Sequence, residues 1–472
     1  MTLFFLLCPE HLPPFPTPAA NSSNTIRLRT FMHVFRKHSG AIFVSIGFLL
    51  RLGSVAYQYR YHLNPALDHW RFGWEMGRVA RALYEGHGFA SPIYQPSGPT
   101  AWVAPVYPLL IATGFKLFGL YTAASAWFIL ALNALFGALT ALPVRAIARR
   151  LFGPRTANIS AWVWTLLPYS IYLAGERIWE NTLTTLLAAC LLWATYVVND
   201  SEANDNSRAA NYRPWLLWAA LWAFAGLTSP SLLAPLPFLG LWLAIRHRRA
   251  HRPWFLQSTA AALLFFALIS PWTLRNYQQF HRFIPMRDNF WLEVHVGNNG
   301  DDRLPCPDAV HPSNSAIERQ QWASLGELAY MDAKKIEANV WLRNHPREFL
   351  TLTARRTLFV WTGFWSLTPY YLSAEPMEFL ATAYFTIITL LAGAGFFRAF
   401  RNGFASLLWP MLWFLLIFPA PYYITHPSYD YRHAMDPILI IMATYACMDW
   451  SVRPSSKRDT TKMELSRNEV SS

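Results

Sequence analysis

HWRFGWEMGRVARALYEGHGF (69–89), ASPIYQPSGPTAWVAPVYP (90–108) and LLIATGFKLFG (109–119) follow one another along the chain, and their reading decides the architecture. The first is amphipathic and carries a carboxylate, Glu75, among arginines. The second is rich in proline and glycine, which punctuate turns. The third is apolar but only about a dozen residues long, whereas a helix needs about 20 to cross hydrocarbon. It is therefore expected to lie along the membrane or re-enter it. An acid on a surface helix, walled by aromatics and arginines, suits chemistry on a lipid-linked substrate better than a pore.

Outward from this loop the chain alternates apolar blocks with short basic segments. It has 472 residues, 53% hydrophobic, with only 14% charged, against about 25% charged in soluble domains. The reading is an all-α polytopic membrane protein with about ten transmembrane helices, each of the length a bilayer demands. They begin near Ala41, Tyr121, Asn158, Glu180, Trp215, Ser231, Trp254, Met377, Phe404 and Met435. With RLRTFMHVFRKHSG inside, VRAIARRLFGPR, NDSEANDNSRAANYR, IRHRRAHR, FFRAFRNG and SVRPSSKR all fall inside as well, as the positive-inside rule requires. Parity holds only if LLIATGFKLFG does not cross. The same rule accounts for the net charge of +13 without nucleic acid.

The expected organisation is a cytoplasmic, disordered N-terminal segment (1–40), a transmembrane catalytic module (41–276) with outer loop 59–119, an extracytoplasmic helical subdomain (277–375), C-terminal transmembrane helices (376–450) and a cytoplasmic tail (451–472). Residues 1–26 fit a signal peptide poorly, lacking a basic n-region; a disordered tail, or a true start at Met32, fits better. In the subdomain, AIERQQWASLGELAYMDAKKIEANVWLRNHPREFL reads as amphipathic helix broken at Pro346. No repeat of 20–50 residues and no pair of inverted halves is visible.

Glu75 leads the candidates for chemistry. Glu75 and Arg78 share a helix face; a carboxylate can take a proton from an attacking hydroxyl or amine, and arginine binds phosphate bidentately. The competing reading is a surface ion pair, worth under about 1 kcal/mol. Asp68 is the alternative acid, or an N-cap for the helix that follows it. Glu176 and Glu180 in GERIWENTL are second-acid candidates, with helix capping as the rival role. Arg78, beside Glu75 on its helix, and Arg275 and Arg432, at outer helix ends, are candidates for a lipid phosphate; for Arg275 and Arg432 snorkelling is the bland alternative. The four cysteines (Cys8, Cys190, Cys306, Cys447) are far apart and form neither a zinc pattern nor a disulfide framework. HVGNNGDD lacks the spaced acids of a calcium loop and reads as a turn.

These segments together resemble the GT-C glycosyltransferases of the dolichyl-phosphate-mannose–protein mannosyltransferase type, a group that includes the lipid A aminoarabinose transferase and RgtA/B/C/D-like enzymes. The residues that carry the resemblance are FGWEMGRVARALYEGHGF, GPTAWVAPVYPLLIATGFKLFGLY, ARRLFG, GERIWENTL and YRHAMDP, in that order. It implies a polyprenyl-phosphate sugar donor, a lipid, protein or glycan acceptor, and inverting transfer on the extracytoplasmic face of a cell membrane, in a bacterium the inner one. It leaves a divalent metal open and no other cofactor is expected. The family usually sets an Asp early in the first outer helix. Aligned on Ala80–Arg81, Phe72 and Gly73 stand there instead, so the base is sought in Glu75 or Asp68. The rival readings are a lipid-linked oligosaccharide flippase or transporter and a non-catalytic envelope assembly subunit. Transporters place binding residues at mid-membrane on broken helices; here the candidates gather on one face.

Overall fold

The computed structural model describes residues 40–59, 72–94, 96–201, 211–299, 310–366, 378–426 and 428–448. These are helical, and among them only an isolated bridge, Ala90 to Pro99, is strand-like. Asp68 lies outside the described residues.

Six helical stretches are long and apolar enough to cross a membrane: Gly40–Tyr59 (α1), Ala123–Phe152, Asn181–Asp200, Phe255–Phe280, Leu380–Arg401 and Ala405–Ile424. The second is two helices, Ala123–Leu139 and Ala141–Phe152, meeting at a turn on Thr140. At the other four expected positions the helices are shorter than a span, and proline accounts for most of the shortening. Near Asn158 the chain forms Pro154–Thr165 and then Pro168–Glu176. Pro168 opens the second piece, and a residue before proline is pushed out of the helical region. Near Ser231, Pro230 and Pro235 precede Leu236–Arg249. The helix near Trp215 is Arg213–Thr228 and the last is Asp436–Cys447, with Pro437 in its first turn. The fold is thus an all-helical, multi-pass bundle.

In chain order the helices that position the site are Trp74–Tyr84 (α2), Val106–Phe118 (α3), Ala123–Leu139 (α4), Ala141–Phe152 (α5), Pro154–Thr165 (α6), Pro168–Glu176 (α7), Asn181–Asp200 (α8), Arg213–Thr228 (α9), Leu236–Arg249 (α10) and Phe255–Phe280 (α11). Then come Phe290–Gly297 (α12), Ala316–Leu325 (α13), Glu327–Asn344 (α14), Pro346–Thr362 (α15), Glu378–Arg401 (α16), Ala405–Ile417 (α17) and, last, Asp436–Cys447 (α18). α3 is the expected non-crossing helix: 13 residues reach about 20 Å, short of a hydrocarbon core about 30 Å thick. It packs against α2, and Tyr107, Ile111 and Phe115 are buried there.

The helical segment expected to form the outer subdomain breaks at Gly326 as well as at Pro346. Gly326 has φ +74, a left-handed turn that separates α13 from α14. α14 packs against both α12 and α13. At its centre Lys334 is buried and donates to Glu318 at 3.0 Å and Glu337 at 3.0 Å, while the Tyr330 hydroxyl donates to Glu318 at 2.7 Å. The buried cation is thus fully paired, the condition under which burial is tolerated.

Candidate functional site

Two glycines set the walls of a large cavity at one end of the bundle. Gly73 has φ +87, and a Cβ there would stand 2.9 Å from the Ile178 carbonyl oxygen. The chain therefore turns into α2 with the Trp74–Glu75 segment facing the 177–180 loop. Gly297 ends α12 so close to Thr425 that a Cβ would lie 2.0 Å from its carbonyl oxygen. That contact brings Thr425 and His426 to the same wall.

The cavity holds about 1010 Å³. Its acids are Glu75, Glu180, Glu293 and Asp430, and its cations are Arg177 and Arg287. Trp74, Trp102, Trp179, Phe290 and Tyr422 supply apolar wall. Few charges and much aromatic surface is the usual make-up of a small-molecule site.

Glu75, 5% exposed, enters from the first turn of α2 and accepts a 2.7 Å hydrogen bond from the Ser313 hydroxyl. His311, two residues before Ser313, stacks parallel to Trp74 at 6.2 Å and meets Trp102 edge-on at 5.5 Å. The outer subdomain thus closes over the first outer loop.

Glu180 enters from the cap of α8, immediately before that span. Burial pushes its carboxyl up to about 7; the Arg287 and Arg177 guanidiniums pull it back, and the Glu75 carboxylate adds a smaller push. One Glu180 oxygen is buried without a hydrogen-bond partner. Its loop is held by the Tyr107 hydroxyl, which donates to Asn133 at 2.9 Å, while the Asn133 amide reaches the Arg177 carbonyl at 3.4 Å. Arg177 pairs with Asp430 and lies 5.0 Å over the Trp179 ring. Arg287 donates to the Trp102 carbonyl at 2.8 Å. On the far wall Glu293 accepts from Asn289 at 2.6 Å and lies 3.5 Å from His426, whose imidazole burial holds below its usual range.

The remaining candidates stand elsewhere. Arg275 does not line the cavity. It donates to the Thr100 and Phe89 carbonyls at 2.6 Å each and lies over the Trp272 and Phe89 rings. It clamps the first outer loop onto α11. Arg432 is buried, donating to the Trp361 carbonyl at 2.8 Å and the Phe385 carbonyl at 3.2 Å, with Asp436 beside it. It ties α15 and α16 to the start of α18. Arg78 points to the Pro92 carbonyl at 3.5 Å, and Glu176 is 3.8 Å from Arg177; neither lines the cavity. The structure therefore brings Glu75 and Glu180 together and leaves the three proposed phosphate ligands outside. The cavity's own cations, Arg177 and Arg287, and the Ser313 hydroxyl were not singled out from sequence. Arg177 sits inside the quoted GERIWEN. Ser313 carries no local signal. Among the described residues no three His, Cys, Asp or Glu side chains are grouped to hold a metal ion.

Residues 102–274 match the family model described as dolichyl-phosphate-mannose-protein mannosyltransferase. The matched segment takes in Trp102, Arg177 and Glu180. No curated protein matches the sequence significantly. Among solved structures, the Archaeoglobus fulgidus oligosaccharyltransferase AglB, in complex with an inhibitory peptide and a dolichol-phosphate, superposes with a TM-score of 0.51 at 13% identity. The match covers 92% of this chain and 54% of that one. The apo form of the Archaeoglobus fulgidus enzyme gives 0.51 at 15% identity over 92% and 52%. ArnT from Cupriavidus metallidurans bound to undecaprenyl phosphate gives only 0.40 at 13% identity over 86% and 77%. The chain spans about half the length of the oligosaccharyltransferase it superposes on. The chain thus shares the all-helical, multi-pass membrane fold of that oligosaccharyltransferase.

Proposed function

We propose that this protein is a membrane glycosyltransferase that moves a sugar from a polyprenyl-phosphate donor to a lipid, protein or glycan acceptor on the extracytoplasmic face, in a bacterium at the inner membrane. The observation that carries the proposal is Glu75, buried in the wall of the outer cavity, oriented by Ser313 and accompanied by Glu180, Arg177 and Arg287. The family match and the fold support the same class.

An acceptor hydroxyl or amine attacks the anomeric carbon while Glu75 takes its proton. The bond from that carbon to the phosphate oxygen breaks with inversion, and polyprenyl phosphate leaves as an anion. Because the leaving group is already charged, it needs stabilisation by preorganised cations more than protonation. Arg177 and Arg287 are suited to this; Arg78, Arg275 and Arg432 are committed to other contacts. The prenyl tail would follow the aromatic wall, and its binding would help hold the reacting carbon in place.

The test is mass spectrometry of surface glycans and glycolipids in a deletion strain complemented with wild type, Glu75→Gln or Asp68→Asn. Deletion is expected to remove one sugar. Wild type restores it, and equally expressed Glu75→Gln does not, in line with the roughly 10²–10⁴-fold contribution of a general base. Full restoration by Glu75→Gln with failure of Asp68→Asn moves the base to Asp68. If deletion changes no glycan, the transferase reading fails in favour of a flippase or assembly subunit.

A further inference from the structure

A second cavity, about 540 Å³, lies at the other end of the bundle. α8 connects the two: Asn181 lines the outer cavity and Asn199 lines this one. The 18 residues between them rise by about 27 Å, close to the thickness of the hydrocarbon core. The second cavity therefore opens at the opposite membrane face, the one to which the basic loops assign the cytoplasm.

Its walls are one face of α10 along its length, from Phe238 to Arg249, and the face of α17. Arg246, Arg249 and Arg252 line it, and no Asp or Glu does. Asn199 pre-orients two of the arginines: Arg246 donates to its side-chain oxygen at 3.2 Å and Arg252 to its carbonyl at 3.0 Å. The neighbouring acid, Asp200, is held by Arg150 through two contacts of 2.5 Å. Below the arginines the wall is apolar. Trp409 and Trp413 stack at 5.6 Å, and Trp413 stacks on Phe238 at 5.0 Å. Leu241 is 59% exposed and Trp409 41%.

Three guanidiniums without a carboxylate call for an anion, and guanidinium matches phosphate in charge and fork geometry. An exposed aliphatic and indole wall directly beneath them calls for a hydrocarbon chain attached to that anion. Basic pockets between transmembrane helices at the cytoplasmic surface are suited to anionic lipid headgroups. We propose that this groove binds the phosphate headgroup of an anionic phospholipid, with an acyl chain lying against Leu241, Trp409 and Trp413. The site is separate from the sugar-transfer cavity and does not depend on that reading.

The test is native mass spectrometry of the full chain, delipidated in detergent and titrated with phosphatidylglycerol, phosphatidylcholine or inorganic phosphate. Wild type is expected to retain phosphatidylglycerol over phosphatidylcholine, with inorganic phosphate at millimolar concentration failing to displace it. Arg249→Gln should weaken phosphatidylglycerol retention about five-fold, the contribution of one basic residue near an anionic lipid surface. Arg248→Gln, one position away and outside the groove, should not. Equal retention of the two lipids by wild type overturns the proposal, and needs no variant. So does an equal loss with Arg248→Gln, which would mean diffuse surface charge. Displacement by inorganic phosphate would make it a free-phosphate site instead.

Discussion

Glu180 shows how a single side chain can carry pH dependence into a site. Its carboxyl is held near 7, chiefly by burial, so it changes charge in the physiological range, where an exposed Glu would be ionised throughout. Below about 7 it is neutral, and Arg177 and Arg287 face the cavity less opposed. Above that it is an additional anion beside the proposed polyprenyl-phosphate donor. The KM for the donor is therefore expected to rise on the order of tenfold as pH increases through 7. Glu180→Gln should abolish that inflection while keeping the low-pH KM. Steady-state kinetics from pH 5.5 to 8.5 would show it; an unchanged inflection in the variant would assign it to another group. Ser313 works in the other direction, as a fixed neutral donor that orients Glu75.

The segment Thr100–Trp102 is where separate elements meet. Arg275 of α11 holds the Thr100 carbonyl, Arg287 holds the Trp102 carbonyl, Glu327 at the start of α14 accepts from the Ala101 N–H at 2.5 Å, and the Asp288 N–H donates to the Ala101 carbonyl at 3.2 Å. A turn segment rich in proline and glycine is thereby fixed from both sides. Charge-assisted hydrogen bonds of this kind contribute about 1.5–3 kcal/mol each. Arg275→Ala is expected to lower stability by about 2–4 kcal/mol and to reduce activity with it. Thermal unfolding separates this from phosphate binding: an unchanged melting temperature with lost activity would return Arg275 to the donor site. Arg275→Lys should rescue little, because an ammonium cannot reach both carbonyls in a planar fork.

At the scale of the whole molecule, two buried carboxyls of the 277–375 segment, Asp288 and Glu327, lie together where that segment meets Ala101 of the first loop. Burial, and then the Asp288 charge, hold Glu327 well above the carboxylate range; burial likewise pushes Asp288 up to about 6, with Glu327, Arg287 and Arg282 pulling back. The folded state thus holds protons more tightly than the unfolded chain. Linkage then requires this contribution to be fully present below the ordinary carboxylate range and lost as pH rises through about 6. Melting temperature measured from pH 4.5 to 7.5 is expected to fall across that window. Asp288→Asn and Glu327→Gln should flatten the curve, and parallel curves in wild type and variants would rule the pair out as its source.

Some of this was legible from composition and spacing alone. Hydrocarbon thickness and backbone hydrogen bonding force long apolar helices and leave a dozen-residue run such as Leu109–Gly119 unable to cross. That physics is local, so the helical class, the approximate position of the long apolar helices and the short helix after Pro105 could all be read along the chain. Glu75 could be named as an acid among arginines on an amphipathic helix, and Glu180 as an acid preceding an apolar span. What could not be read was which charges share a space. Arg78, Arg275 and Arg432 look in sequence much like Arg177 and Arg287, arginines set among aromatic and apolar residues. Their roles diverge because the first three meet backbone carbonyls and side chains contributed mostly from distant parts of the chain, whereas the last two line the same cavity as the acids. The Ser313 hydroxyl, 238 positions from Glu75, reaches it only because the outer subdomain folds back over the first loop. Spacing along one helix carries no information about such contacts, and packing between helices decides them.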